Sequence, residues 1–274
     1  MSLVAAASGF LGAHIVGQLL DAGYKVRDTA RSPKADAVRA AYARYGDKFE
    51  LVAIKDIATS DLAPALKDNK MSAITLTSSS VDGSRRILEA PLSSNFKKIV
   101  VTGSTAALHD PTLTFTNLTC NENSCLSTTR EEALVSDASG FLVYSASKAP
   151  AEKEIWKFAE EHPDVDITTT PARSSPAPRS RRLDRAHLQP RQRRRRPALH
   201  RPGLDLPPLY VNVADVTKAH VLALRAPSAS KPKRIIVSSG EFYFSDAIRH
   251  LASILPELKA RLPDLSAAPE DPKE

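Results

Sequence analysis

The stretch Leu3-Val4-Ala5-Ala6-Ala7-Ser8-Gly9-Phe10-Leu11-Gly12 runs from apolar residues into two glycines, and an apolar pattern at Ile15, Val16, Leu19 and Leu20 carries on to Gly23. Apolar residues at that spacing share one face of a helix, so the reading is strand, tight turn, helix. Glycines in such a turn let backbone N–H groups approach a phosphate held at the positive end of the helix. Gly9, Phe10, Leu11 and Gly12 are therefore candidate phosphate-binding positions.

A second strand over residues 24–30 ends in Arg31-Ser32-Pro33-Lys34. A protein binding NAD places an acid there for the ribose 2′-hydroxyl; two cations suit the additional phosphate of NADP. A helix over 35–45 leads to a third strand over 49–54, closed by Asp56-Ile57, then to a short helix over 62–66 and a strand over 73–77. A helical piece over 83–90 precedes the apolar run 97–102, with Gly103-Ser104-Thr105 at its carboxyl end. Strands alternating with helices at these lengths imply right-handed crossovers and a parallel sheet, so the fold class is α/β, doubly wound. Ser104 stands at the sheet edge where ligands of such folds bind, although a hydroxyl there also serves to cap a turn.

Tyr144-Ser145-Ala146-Ser147-Lys148 brings a phenol and an ammonium four residues apart. On a helix they share a face, one turn apart. A phenol with a reference pKa of about 10 is a poor acid near neutrality, but a neighbouring cation stabilises the phenolate and suits the pair to proton transfer. The same spacing also describes two surface neighbours on an amphipathic helix.

At 274 residues the chain can bury a full core. No apolar run approaches the ~20 residues of a membrane span, and Met1-Ser2-Leu3 enters the first strand without a basic leader, which predicts a soluble, cytoplasmic protein with no membrane partner. Cys120 and Cys125, separated by four polar residues, support neither a metal site nor a disulfide framework. The net charge is +7, yet the window from Pro171 to Pro202 holds eleven arginines and one acid, Asp184, so the remainder of the chain is net acidic. An arginine-rich arm has an electrostatic basis for binding nucleic acid, but it lacks interleaved aromatics or a recognisable module, and nucleic acid is disfavoured as a partner.

With Ser8 to Gly12, Val101-Thr102-Gly103-Ser104 and Tyr144 to Lys148 in order, the chain resembles the extended short-chain dehydrogenase/reductases, within the NAD-dependent epimerase/dehydratase superfamily. It is most similar to the branch of the dihydroflavonol reductases and the fungal NADPH-dependent aldehyde and ketone reductases. The likeness covers residues 3–169 and resumes over 207–265. It implies a Rossmann fold and an oxidoreductase that uses NADPH on a small-molecule carbonyl. Tyr144 would donate a proton to the carbonyl oxygen, Lys148 would lower the phenol pKa and hold the nicotinamide ribose, and Ser104 would hydrogen-bond the same oxygen. Gly9 to Gly12 match the pyrophosphate turn, Arg31 and Lys34 the 2′-phosphate contacts, and Asp56 and Ile57 the adenine contacts. His220, in the helix after residues 210–216, is read as a packing histidine.

The sequence also departs from that pattern. Ala6 replaces the first glycine of the phosphate turn, residues are missing after Ser80, and Pro150 falls inside the helix of Tyr144, where it predicts a kink. A sixth strand is expected over 164–169. Residues 170–206, rich in arginine and proline, show no helical or strand period. One permitted back-translation of residues 171–179, read in another frame, spells Gly-Ser-Phe-Val-Ser-Gly-Pro, which suggests a frame-shifted segment. The expected organisation is an NADP-binding Rossmann domain over 1–169, an irregular segment over 170–206, and over 207–274 the remaining sheet with a small, incomplete C-terminal substrate lobe. Competing readings are a catalytically impaired relative acting as a binding protein and, on the same fold, a nucleotide-sugar epimerase.

Overall fold

In a computed structural model the described residues are 2–5, 9–55, 60, 62–66, 73–77, 85, 88–89, 97–113, 116–127, 129, 131, 140–172, 209–229, 231–241 and 243–266. Strand β1 (Ser2–Ala5) leads to helix α1 (Phe10–Asp21), β2 (Val26–Arg31) to α2 (Ser32–Tyr42), and β3 (Phe49–Ile54) to the short α3 (Ala63–Leu66). Strands β4 (Ala73–Thr77) and β5 (Lys98–Ser104) follow, then α4 (Gly140–Glu161) and β6 (Asp166–Ala172). The chain continues through β7 (Leu209–Tyr210), α5 (Val213–Arg225), β8 (Lys233–Arg234), β9 (Gly240–Glu241) and α6 (Phe244–Ile254).

The main sheet has the order β3-β2-β1-β4-β5-β6-β8 and is parallel at every pairing. The chain winds outward from β1 to β3, then returns to lay β4 on the other side of β1. The order thus reverses beside β1, and the crevice outside the carboxyl ends of β1, β4 and β5 is where such sheets bind ligands. One core packs Ile15, Val16, Leu19 and Leu20 of α1 with Val26, Val38, Tyr42 and Val221. The other packs Ile99, Val101 and Ile167 with Leu88, Ile155 and Phe158. Each fully buried side chain of this size contributes roughly 1.5–3 kcal/mol, so both faces of the sheet are held by burial. Among the described residues no helix is long and apolar enough to cross a membrane.

Several boundaries moved, each for a local reason. Helix α1 closes with Gly23 at φ +87°. Its N–H bonds the Leu20 carbonyl at 3.0 Å, and the Tyr24 N–H bonds that of Leu19 at 2.9 Å. That left-handed closure uses up Tyr24, and the second strand starts at Val26. Helix α2 begins at Ser32 because Pro33 is tolerated in a first turn, where its missing N–H is not required. Pro150, where a kink is expected, does not end the helix: α4 runs from Gly140 to Glu161 with Pro150 inside it. The ~3 kcal/mol cost of an interior proline is offset by the burial of Ala149, Ile155 and Phe158 around it. The sixth strand extends through Ala172, three residues past the expected boundary, so Thr170, Pro171 and Ala172 belong to the sheet. Residues 173–208 lie outside the described residues. At Gly103 β5 runs close to Pro171, and a Cβ there would stand a tight 3.2 Å from its backbone. Of the strand expected over 233–238, β8 is two residues, followed by one parallel bridge between Ala172 and Val237.

Candidate active site

At the carboxyl edge of the sheet, Phe10, Leu11, Ser104, Tyr144 and Lys148 of the residues that the sequence singled out come together. Ser104 is the last residue of β5 and caps the 3₁₀ turn Thr105–Ala107, its Oγ accepting the Ala106 N–H at 3.3 Å. Because that hydroxyl accepts from the backbone, its own O–H remains to donate outward. Tyr144 stands across from it on α4, with Oη 3.4 Å from Ser104 Oγ. Lys148, one turn on, places Nζ 5.4 Å from the centroid of the Tyr144 ring. Tyr144 is 46% exposed and Ser104 9%, so the phenol faces open space from a buried partner.

That space is a cavity of about 300 Å³. Phe10 and Leu11 of α1, Thr102, Gly103 and Ser104 of β5, and Tyr144, Lys148 and Glu152 of α4 form much of its wall, closed by Val211, Val213 and Val216. Gly9 is the N-cap of α1 in an extended conformation and supplies no side chain to the first-turn N–H groups, which suits an anion at that end. Gly12 is buried on α1. Arg31, the last residue of β2 beside β1, and Lys34, in the first turn of α2, are both exposed. Asp56 and Ile57, like Ala6 and Ser80, lie outside the described residues.

Glu152 and Thr102 were not singled out from the sequence. Carrying the Tyr144–Lys148 spacing one more turn would have found Glu152; Thr102 sits within the quoted Val101-Thr102-Gly103-Ser104 run but carries no chemistry by itself.

His220 packs behind the site, fully buried. Its Nδ1–H donates to the Val216 carbonyl at 2.8 Å, so Nε2 is the acceptor facing Thr102 Oγ1 at 2.8 Å and Thr170 Oγ1 at 3.1 Å. Burial pushes its pKa down to about 4. The unfolded chain takes up this proton near pH 6.5 and the folded chain does not, so stability present above pH 6.5 is lost as the pH falls toward 4, by roughly 3 kcal/mol in all. Urea denaturation at stepped pH should show that slope, and His220→Gln should flatten it; an unchanged slope would place the titration elsewhere.

Residues 2–238 match the NAD dependent epimerase/dehydratase family. An uncharacterized oxidoreductase of Schizosaccharomyces pombe is 31% identical, over 98% of this chain and 85% of its own length. The NADPH-dependent methylglyoxal reductase GRE2 of Saccharomyces cerevisiae is 28% identical, over 95% of this chain and 84% of its own. The crystal structure of yeast methylglyoxal/isovaleraldehyde reductase Gre2 complexed with NADPH superposes with a TM-score of 0.72 at 26% identity, covering 96% of this chain and 85% of that one. The sheet order, the motif order and this coverage agree: the chain belongs to the NAD-dependent epimerase/dehydratase family, as an extended short-chain dehydrogenase/reductase of the dihydroflavonol reductase-like branch.

Proposed function

We propose that the protein is a cytoplasmic NADPH-dependent reductase of aldehydes or ketones, with Tyr144 as the proton donor. The observation that carries this reading is the pairing of Ser104 Oγ and Tyr144 Oη at 3.4 Å on the wall of one cavity, with Lys148 behind the phenol. The Gly9 cap, Phe10 and Leu11 would hold the pyrophosphate end of the cofactor, Arg31 and Lys34 the 2′-phosphate, and Lys148 with Tyr144 the nicotinamide ribose. NADPH bound there supplies the hydride. A carbonyl oxygen seated between Ser104 and Tyr144 gains negative charge as it is reduced, and the two hydroxyl donors bind that charge more strongly than the neutral ground state. Tyr144 then gives up its proton to the oxygen, and the Lys148 ammonium offsets the charge left on the ring oxygen. The two free thiols suit a reducing compartment.

Titration of the purified protein with NADPH and with NADH, followed by nucleotide fluorescence, tests the reading. NADPH should saturate and bind at least about tenfold more tightly than NADH, the size of one well-formed phosphate contact. Arg31→Ala with Lys34→Ala should erase that preference. Absence of saturable binding by either nucleotide ends the reading. Binding without oxidation of NADPH over a panel of aldehydes and ketones would favour a non-enzymatic relative.

A further inference from the structure

Glu152 stands one turn beyond Lys148 and two beyond Tyr144 on the same face of α4, and it lines the same cavity while only 5% exposed. A carboxylate buried beside Ile155 needs a partner. Arg234 of β8 provides it, with Nε 3.0 Å from Oε1 and Nη2 2.6 Å from Oε2, and Thr169 Oγ1 donates to Oε1 at 3.2 Å. The third guanidinium nitrogen, Nη1, donates to the carbonyls of Glu122, at 3.1 Å, and Ser124. Two residues on, the Leu126 N–H bonds the Ala107 carbonyl at 2.9 Å, and Leu126 packs with Ala107 and Ala149. Ala107 ends the turn that Ser104 caps. One guanidinium therefore ties α4, which carries Tyr144, to the segment that braces the Ser104 turn.

Glu152 lines two hollows: the candidate active-site cavity, and a second one of about 390 Å³ that Arg234, Trp156 and Cys125 also line.

We infer that Arg234 and Glu152 are positioning residues that set the separation of Ser104 and Tyr144, an inference that rests on the carbonyl-reduction reading. Two donors on separate elements must converge on one oxygen, and a displacement of about 1 Å at such a point can cost on the order of a hundredfold in rate. The planar fork is needed because a lysine cannot engage both carboxylate oxygens and the two carbonyls at once.

A double-mutant cycle over Ser104→Ala and Arg234→Lys, read as kcat and KM with NADPH and one aldehyde, tests it, with Tyr144→Phe as reference and melting temperature as a folding control. Arg234→Lys should lower kcat at least about tenfold, leave the KM for NADPH within about twofold, and reduce the penalty of Ser104→Ala, because a displaced serine no longer contributes. A wholly structural role predicts a lower melting temperature with the full Ser104→Ala penalty retained. Additive effects, with Tyr144→Phe inactive, overturn the inference alone; a parent without turnover, or an active Tyr144→Phe, overturns the underlying reading and the inference with it. Should Arg234→Lys fail to fold, Glu152→Gln in the same cycle decides by the same criterion.

Discussion

Tyr144→Phe should lose carbonyl-dependent NADPH oxidation by roughly 10²- to 10⁴-fold, the range that a positioned general acid contributes. That corresponds to about 3–5 kcal/mol on the barrier. The substitution removes one oxygen and leaves the ring against which Lys148 stands at 5.4 Å, so NADPH affinity should fall by no more than about tenfold, the size of one hydrogen bond to the ribose. Steady-state rates and a fluorescence titration on the same preparation check both halves. A retained rate removes Tyr144 as the acid; a matched loss of rate and affinity shows that its role is in holding the nucleotide.

Asp166→Ala is expected to give the largest loss of stability. The Asp166 side chain is 2% exposed at the amino end of β6, with Lys98 Nζ at 3.2 Å and Lys233 Nζ at 3.1 Å. Lys98 is itself nearly buried and also donates to the Ala226 carbonyl, while Lys233 donates to that of Pro227 at 3.2 Å. Deleting the carboxylate strands one buried and one half-buried cation, a change that costs about 3–5 kcal/mol. For a domain of this size that lowers the melting temperature by roughly 10 °C. Adding Lys98→Met to Asp166→Ala should restore part of the loss, because the penalty lies in the orphaned charge. A shift of only a degree or two on Asp166→Ala would show that water reaches the cluster.

Much of the fold was legible because strands of a parallel sheet are written as short, largely apolar runs. Phe49–Ile54 and Ala73–Thr77 stand where the sequence placed them. The carboxyl end of β6 was not legible beyond Thr169, since Thr170 is fully buried yet polar and Pro171 reads as a turn residue. Thr169 and Thr170 turn their hydroxyls to Glu152 and to His220 or the Val101 carbonyl, satisfaction that no local pattern announces. Within the site, Ser104, Tyr144 and Lys148 were found because two of them share a helix and the third follows a strand. Arg234 escaped because it meets Glu152 across 82 residues of chain and belongs to a strand of two residues.

That strand also bears on self-association. A sheet ending in a long, flat, apolar strand offers its unpaired backbone groups to another chain. Of the two edge strands, β8 is only Lys233 and Arg234, followed among the described residues by a single bridge at Val237. Both side chains are drawn inward to Asp166 and Glu152, so the brackets that secure the sheet also shorten and charge its margin. A second copy approaching along this side meets a strand too brief to extend, which disfavours edge-to-edge pairing there.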